Sequence, residues 1–313
     1  MELPDVQSEG TTIPISIGKV GVTGVKAPIG SVSFGGKPII VLPTFDVFVD
    51  LPANQKGIHA SRNYEIIAEI LNKHVGKTYR LENICGIIAS ELLQSHRYTS
   101  RSEVIARGEL ILEKAAPKTG RTSYESCKLS ASAIATRNSR GRIETRKTLG
   151  VGVTGLTACP CGHEMMKGFT QEELTHNAHL PKETIKTILQ EVPIATHMQR
   201  SFGSITTEIP DGFEIEISNL ANVVEHSMSA STYGLLKRSD EAELIHRAIG
   251  KPRFAEDCIR HMMRNFAKSF PALPNSVSVN CRLRSEESIH KHDLFAERTI
   301  TLGAIKKGLK SRA

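Results

Sequence analysis

Apolar positions recur along this chain with two periods. Ile15 to Val25 alternates weakly around small residues. Lys37 to Pro43 and Phe45 to Val49 are rich in β-branched and aromatic side chains, and all three stretches read as strands. The period then lengthens. Ser61 reads as a helix N-cap, and Ile66, Ile67, Ile70 and Leu71 recur at helical spacing behind it. Leu81 to Leu93 predicts a second amphipathic helix. Ser102 to Ala115 and Ser126 to Thr136 predict longer strands, Asn138-Ser-Arg-Gly141 a turn, and Arg142 to Thr154 a further strand.

The second half repeats that order loosely. Val151 to Leu156 leads into a Cys-Pro-Cys turn, and Pro181 to Val192 predicts a short helix opened by proline. Gly203 to Ile209 and Phe213 to Ile217 predict a hairpin around Pro210-Asp-Gly212. Leu220 to Met228, Asp240 to Ile249 and Arg253 to Phe270 predict helices. Ser276 to Arg284 predicts a strand running on through Ser288-Ile-His-Lys-His292. Strands and helices come in blocks rather than in regular alternation, which argues against a doubly wound parallel sheet. Two similar α+β modules are expected, residues 1–150 and 151–313.

Composition narrows the class. With 39% hydrophobic and 23% charged residues in 313, the chain is globular and long enough for two domains. No apolar run approaches the ~20 residues of a membrane span, and the start Met1-Glu-Leu-Pro-Asp5 has no signal-peptide pattern. Six scattered cysteines are too sparse for a disulfide scaffold, so a reduced, cytoplasmic protein is expected. A net charge of +7 suits an anionic partner but also an ordinary basic surface. Dispersed cations, no tryptophan and 5% aromatics argue against a nucleic-acid binder.

The candidate chemistry sits at five places. Thr157-Ala-Cys-Pro-Cys-Gly-His163 puts Cys159, Cys161 and His163 near one another, and His197 follows in Ala195-Thr-His-Met-Gln-Arg200. Thiolate and imidazole are ligands that a borderline divalent metal prefers, although free cysteine is also commonly a small buried hydrophobe. His176 and His179 fall in a polar, loop-like stretch. Asp240 and Glu241 open one helix, and Glu256 and Asp257 another, where carboxylates also suit the helix dipole. In an extended segment Glu286, Ser288, His290 and His292 would share one face, fit for metal ligation or proton transfer. Lys56, His59 and Arg62 gather at a helix entry, where an anion would be favoured. No P-loop or dinucleotide glycine pattern occurs.

Taken in order, several segments resemble one family. They are Leu42 to Pro52, Gln55-Lys-Gly-Ile-His59, Thr157-Ala-Cys-Pro-Cys161, Thr196-His197 with Gln199-Arg200, and Leu235 to Arg238 with Asp240-Glu241. Phe254 with Glu256-Asp257-Cys258 and Glu287 to Asp293 with Phe295 to Arg298 complete the set. It resembles the metal-dependent type IB GTP cyclohydrolases, and most nearly their archaeal Fe(II)-dependent type IV branch of methanopterin-type synthesis. The resemblance implies a tunnelling fold of two tandem modules, each an antiparallel sheet backed by helices. It implies a homo-oligomer, a tetramer with active sites at subunit interfaces, and GTP as substrate.

The same resemblance assigns roles. Cys159, His197 and Glu241 would be metal ligands, for Fe(II) or else Zn(II) or Mn(II). Glu256 would hold the guanine edge, with Asp257 beside it as a catalytic candidate. His290 and His292 would transfer protons. Lys56, His59, Arg200 and Arg298 would bind the triphosphate. The expected product is 7,8-dihydroneopterin 2′,3′-cyclic phosphate with formate and diphosphate, the type IB alternative being the triphosphate. A basic RNA-binding protein with a structural metal is the alternative from another class. His163, next to the Cys-Pro-Cys segment, has two readings, an extra ligand or a cap of the local turn.

Overall fold

The structure is a computed structural model that describes residues 5–26, 29–73 and 78–311. Along the chain lie β1 (Ile17–Lys26), β2 (Ile29–Phe34), β3 (Lys37–Val41), β4 (Thr44–Leu51), α1 (Ala60–Asn72), β5 (Thr78–Tyr79), α2 (Leu81–Ser95), β6 (Arg101–Ala115), β7 (Thr122–Arg137) and β8 (Ile143–Ala158). There follow α3 (Pro160–His176), α4 (Lys182–Glu191), β9 (Met198–Ile209), α5 (Ile217–Glu225), β10 (Ala230–Ser231), α6 (Arg238–Ile249), α7 (Ala255–Ser269), β11 (Ser278–Ser285), β12 (Leu294–Thr301) and α8 (Leu302–Lys310). This is an α+β protein of antiparallel sheet backed by helices.

Two compact units emerge. The first comprises Met1–Leu110, Lys128–Val151 and Thr206–Ser218, and the second Ile111–Cys127, Gly152–Ile205 and Asn219–Ala313. The chain leaves and re-enters each unit, whereas the sequence pattern had one cut near Gly150.

In the first unit β4 lies between β1 and β6, antiparallel to both. Strict alternation along β4 drives this placement: Phe45, Val47, Val49 and Leu51 are buried and their neighbours are half-exposed. The buried stripes of α1 (Ile67, Ile70, Leu71) and α2 (Leu81, Ile84, Ile88, Leu92) supply the rest of that core. β2 forms a separate small sheet with β3 and β5.

In the second unit β11 pairs antiparallel with β12, and β10 with β8. Ile259, Met262 and Phe266 recur at three- and four-residue steps on α7 and are buried, as are Val279, Cys281 and Leu283 on β11, against which α7 packs. Gly203 on β9 permits the close approach: a Cβ there would lie 2.8 Å from both Met262 Cε and Val224 Cγ1.

Several expectations are corrected. The first helix begins at Ala60 with His59 at its N-cap, so Ser61 is a first-turn residue. The entry is set from outside the helix, where the backbone N–H groups of Lys56 and Gly57 donate to Glu9 O and Gln7 O. Phe213 to Ile217 is not a strand. Its apolar alternation imitates one, but Ile215 O accepts from the Arg80 guanidinium at 2.9 Å in place of a ladder partner, and α5 starts at Ile217. His176 lies in the last turn of α3, not in a loop. Strand β11 ends at Ser285, and 286–293 is irregular. β2, β12 and α8 carry weak patterns and are additional to the predicted elements. No helix among the described residues is long and apolar enough to cross a membrane.

Candidate active site

The Cys-Pro-Cys segment is a helix start rather than a free turn. Cys159 is the N-cap of α3, and Pro160 occupies the first helical position, where its missing N–H costs nothing. Gly162 N–H donates to Cys159 Sγ at 3.3 Å, so the thiol sits over the positive end of the helix. Cys159 N–H donates to His197 O at 3.1 Å, and Thr196 Oγ–H to Cys159 O at 2.9 Å. These bonds join the end of β8 to the start of β9. They require Gly162: a Cβ there would stand 2.7 Å from Thr196 Oγ1 and 3.2 Å from His197 Cδ2.

A cavity of about 390 Å³ opens over this junction, within the second unit. Cys159, Cys161, His197, Gln199, Glu287, His290 and His292 line it, with Met165, Phe254, Ile289 and Leu294 as its apolar wall. His290 and His292 come from the irregular 286–293 segment, not from one strand face, yet their rings stack with centroids 5.2 Å apart. Arg253 also lines the cavity. It is 9% exposed, its guanidinium donates to His226 O and Met228 O, and its N–H donates to Ala158 O. Arg253 thereby ties the entry of α7 to the end of β8.

Beneath the cavity runs a polar network. His197 Nδ1 is 3.1 Å from Gln199 Oε1, Gln199 Nε2 donates to Glu287 Oε1 at 2.9 Å, and Ser285 Oγ–H donates to the same oxygen at 2.8 Å. Buried Thr157 and Ser201 extend it below Ser285.

Other candidates lie elsewhere. Glu241 is exposed in the first turn of α6 and does not line the cavity; its neighbour Asp240 is buried and structural. Burial works against charge on Asp240, but N–H donors from Thr119, Lys237 and Lys118 and the Thr119 hydroxyl hold it far below the usual carboxylate range. Asp257 caps α7 through Phe254 N–H and pairs with Arg260 at 2.6 Å. Glu256 is exposed one residue beyond the cavity-lining Ala255 and has no hydrogen-bond or ionic partner among the described residues. Arg200 and Arg298 are exposed on β9 and β12, Arg200 alternating with the buried Gln199 and Ser201. In the first unit, Lys56 pairs with Glu9 and His59 with Asp5, each at 3.0 Å. His163 lines a second, smaller cavity with Lys167 and His246 and does not line the first; burial and then the Lys167 charge depress its pKa.

Glu287 and Arg253 escaped the sequence reading as site residues. Glu287 lay inside the family-like segment, but the extended-face pattern selected Glu286 in its place. Arg253 carries no sequence signal beyond that of a helix entry. Among the described residues no three His, Cys, Asp or Glu side chains converge as a metal cage. The donor chemistry at the cavity nonetheless fits a divalent ion. A helix-capping thiol adjoins an imidazole whose Nδ1 is already engaged, with two further imidazoles on the same wall.

Comparison with known proteins places the chain. The family described as Type I GTP cyclohydrolase folE2 matches residues 3–296. The GTP cyclohydrolase MptA of Methanococcus aeolicus is 42% identical over 307 residues, 98% of this chain and 99% of its own length. That of Methanococcoides burtonii is 39% identical over 311 residues, 99% of this chain and 98% of its own. Among solved structures, the uricase of Arthrobacter globiformis superposes with a TM-score of 0.52 at 10% identity, over 91% of this chain and 94% of that one. That likeness concerns the fold alone. With a family match running from residue 3 to residue 296, this chain belongs to the type I GTP cyclohydrolase family.

Proposed function

We propose that this chain hydrolytically opens the guanine imidazole ring of GTP, releasing formate and forming 7,8-dihydroneopterin 2′,3′-cyclic phosphate with diphosphate for methanopterin-type pterin synthesis. The observation that carries the reading is the cavity that joins Cys159, His197, His290 and His292 in a chain matched along nearly its whole length by GTP cyclohydrolases.

Cys159 and His197 would hold a divalent metal, Fe(II) by the archaeal resemblance; Glu241, the carboxylate that the resemblance adds to them, lies outside this cavity in the single chain. When bound, such an ion supplies the Lewis acidity that makes water nucleophilic near neutral pH. Glu256, free of other partners, accepts from the guanine ring N–H and exocyclic amine, a pairing only an acceptor-rich edge provides. His290 and His292 carry protons to and from the purine nitrogens as C8 is lost as formate. The apolar wall of Met165, Phe254, Ile289 and Leu294 excludes bulk water from the base. Lys56, His59, Arg200 and Arg298 supply the charge for the triphosphate, Lys56 and His59 exchanging Glu9 and Asp5 for phosphate oxygens.

The finer architecture is proposed as the tandem-module tunnelling fold, assembled as a homotetramer. Its support is at the edges: β1 and β12 end the strand orders and leave Ile17 49%, Leu294 40% and Phe295 59% exposed. Open, apolar edges of this kind are covered when copies pair.

Anaerobic incubation with GTP and Fe(II) tests the reading. Stoichiometric formate and a pterin fluorescent after oxidation are expected, with the cyclic phosphate identified by mass. An inactive, fully metallated sample refutes the activity, and dihydroneopterin triphosphate as sole product refutes the cyclic-phosphate step.

A further inference from the structure

Gln199 is 9% exposed, and its side-chain amide bridges His197 and Glu287. The chemistry of the partners fixes which way that amide faces. A carboxylate accepts hydrogen bonds and donates none. Glu287 Oε1 therefore takes hydrogens from both neighbours, Ser285 Oγ at 2.8 Å and Gln199 Nε2 at 2.9 Å. Turning the amide over would set its oxygen against a carboxylate oxygen at that distance, lone pair against lone pair. Held this way, Gln199 presents Oε1 to His197 Nδ1 at 3.1 Å. An amide oxygen only accepts, so Nδ1 carries the hydrogen. Ser288 Oγ, 3.3 Å from the same nitrogen, then serves as a second acceptor.

Glu287 is itself anchored from below. Ser285 spends its hydrogen on Glu287 and accepts from Ser201 Oγ at 3.1 Å. Thr157 Oγ1 lies 2.9 Å from Ser201 Oγ and 3.2 Å from Ser285 Oγ. All three hydroxyl residues are buried, so the hydrogens of Ser201 and Ser285 point toward the carboxylate. Such a one-directional chain resists reversal because each buried hydroxyl would lose a partner.

We propose that Glu287, acting through Gln199, sets the tautomer of His197, so that Nδ1 bears the hydrogen and Nε2 is the acceptor nitrogen. Gln199 and Glu287 are positioning residues for this imidazole. The inference goes beyond the function proposed above and rests on it only where the Nε2 lone pair meets a metal.

Nuclear magnetic resonance of the metal-free, full-length protein labelled with 15N-histidine tests it, at a pH where imidazole is neutral. Long-range 1H–15N correlations report which ring nitrogen is protonated, and His197→Gln identifies the resonance. Wild type is expected as the Nδ1–H form. In Glu287→Gln the new amide can donate as well as accept, so Gln199 loses its fixed direction and His197 becomes a mixture. Gln199→Leu removes the acceptor and moves the population toward Nε2–H. Zn2+ alone should bind Glu287→Gln about 10–100-fold more weakly than wild type. An Nε2–H imidazole in wild type overturns the proposal, as does an unchanged Nδ1–H form in both variants. Glu287→Gln, nearly isosteric, carries the test if Gln199→Leu does not fold. Nδ1–H in a protein that binds no Zn2+ supports the relay and removes the metal reading.

Discussion

Two glycines of α3 are predicted to respond to alanine with opposite signs. At Gly162 the added Cβ would stand 2.7 Å from Thr196 Oγ1 and 3.2 Å from His197 Cδ2. Neither atom can retreat cheaply, because Thr196 is short and bonded to Cys159 O, and His197 is held by Gln199. Overpacking costs about 1–3 kcal/mol, and losing the Thr196 bond about 1 kcal/mol more. The helix-propensity gain of at most about 1 kcal/mol offsets part of this. Gly162→Ala is therefore expected to destabilise by about 1–3 kcal/mol. Gly168 lies on the same helix with nothing within 4 Å of its would-be Cβ. There the propensity term acts alone, and Gly168→Ala should stabilise by about 0.5–1 kcal/mol. Urea unfolding at matched protein concentration measures both, since any oligomer makes apparent stability concentration-dependent. Formate release reads the site: a shift of Cys159 against His197 by tenths of an ångström to an ångström should lower kcat/KM up to about 100-fold in Gly162→Ala. Gly168→Ala should leave it unchanged. A Gly162→Ala protein as stable and as active as wild type would refute the close junction between α3 and β9 on which the site is built.

Cys159→Ala should abolish formate release and Zn2+ retention after gel filtration, while Cys161→Ala, whose thiol makes no helix-cap bond, should retain both. Glu256→Gln should raise the KM for GTP strongly with little change in stability. Asp257→Ala should mainly cost stability, about 1 kcal/mol from the lost helix cap, measured by urea unfolding. His96, buried between Asn63 and Tyr98, has its pKa pushed down to about 4, by burial first and then by the Arg62 and His59 charges. The unfolded chain takes up this proton first. Stability from His96 is thus fully present above about pH 6.5 and is lost as pH falls toward 4. His96→Gln should flatten that part of the pH–stability curve.

How much of this was legible in the sequence depends on whether a segment's period matched its environment. Helix α7 was readable because Ile259, Met262 and Phe266 mark one buried face at helical spacing. β12 was not, because as an outer strand its side chains are mostly exposed and leave no alternation. Phe213, Ile215 and Ile217 alternated as a strand would, yet the carbonyl that should have met a ladder partner meets Arg80. Local pattern registers burial; it is blind to which donor satisfies the backbone.

The same blindness acts more sharply at the site. Residue types marked Cys159, His197, His290 and His292, because thiol and imidazole are the donors that metal ligation and proton transfer use. Their geometry was harder. An extended 286–293 segment would place Glu286, His290 and His292 on one face and turn Glu287 away. The chain leaves strand geometry after Ser285, and parity ceases to apply. The histidine rings still stack, but it is Glu287 whose carboxylate reaches Gln199. That contact joins positions 88 apart in sequence. No periodicity within either segment encodes it, since it depends on β9 and the end of β11 being brought together around Thr157, Ser201 and Ser285. The donor side chains gathered at such a cavity can be read from composition and order. The groups that hydrogen-bond to those donors belong to the tertiary structure, and they become visible only when the hydrogen of each buried hydroxyl and amide is followed to its acceptor.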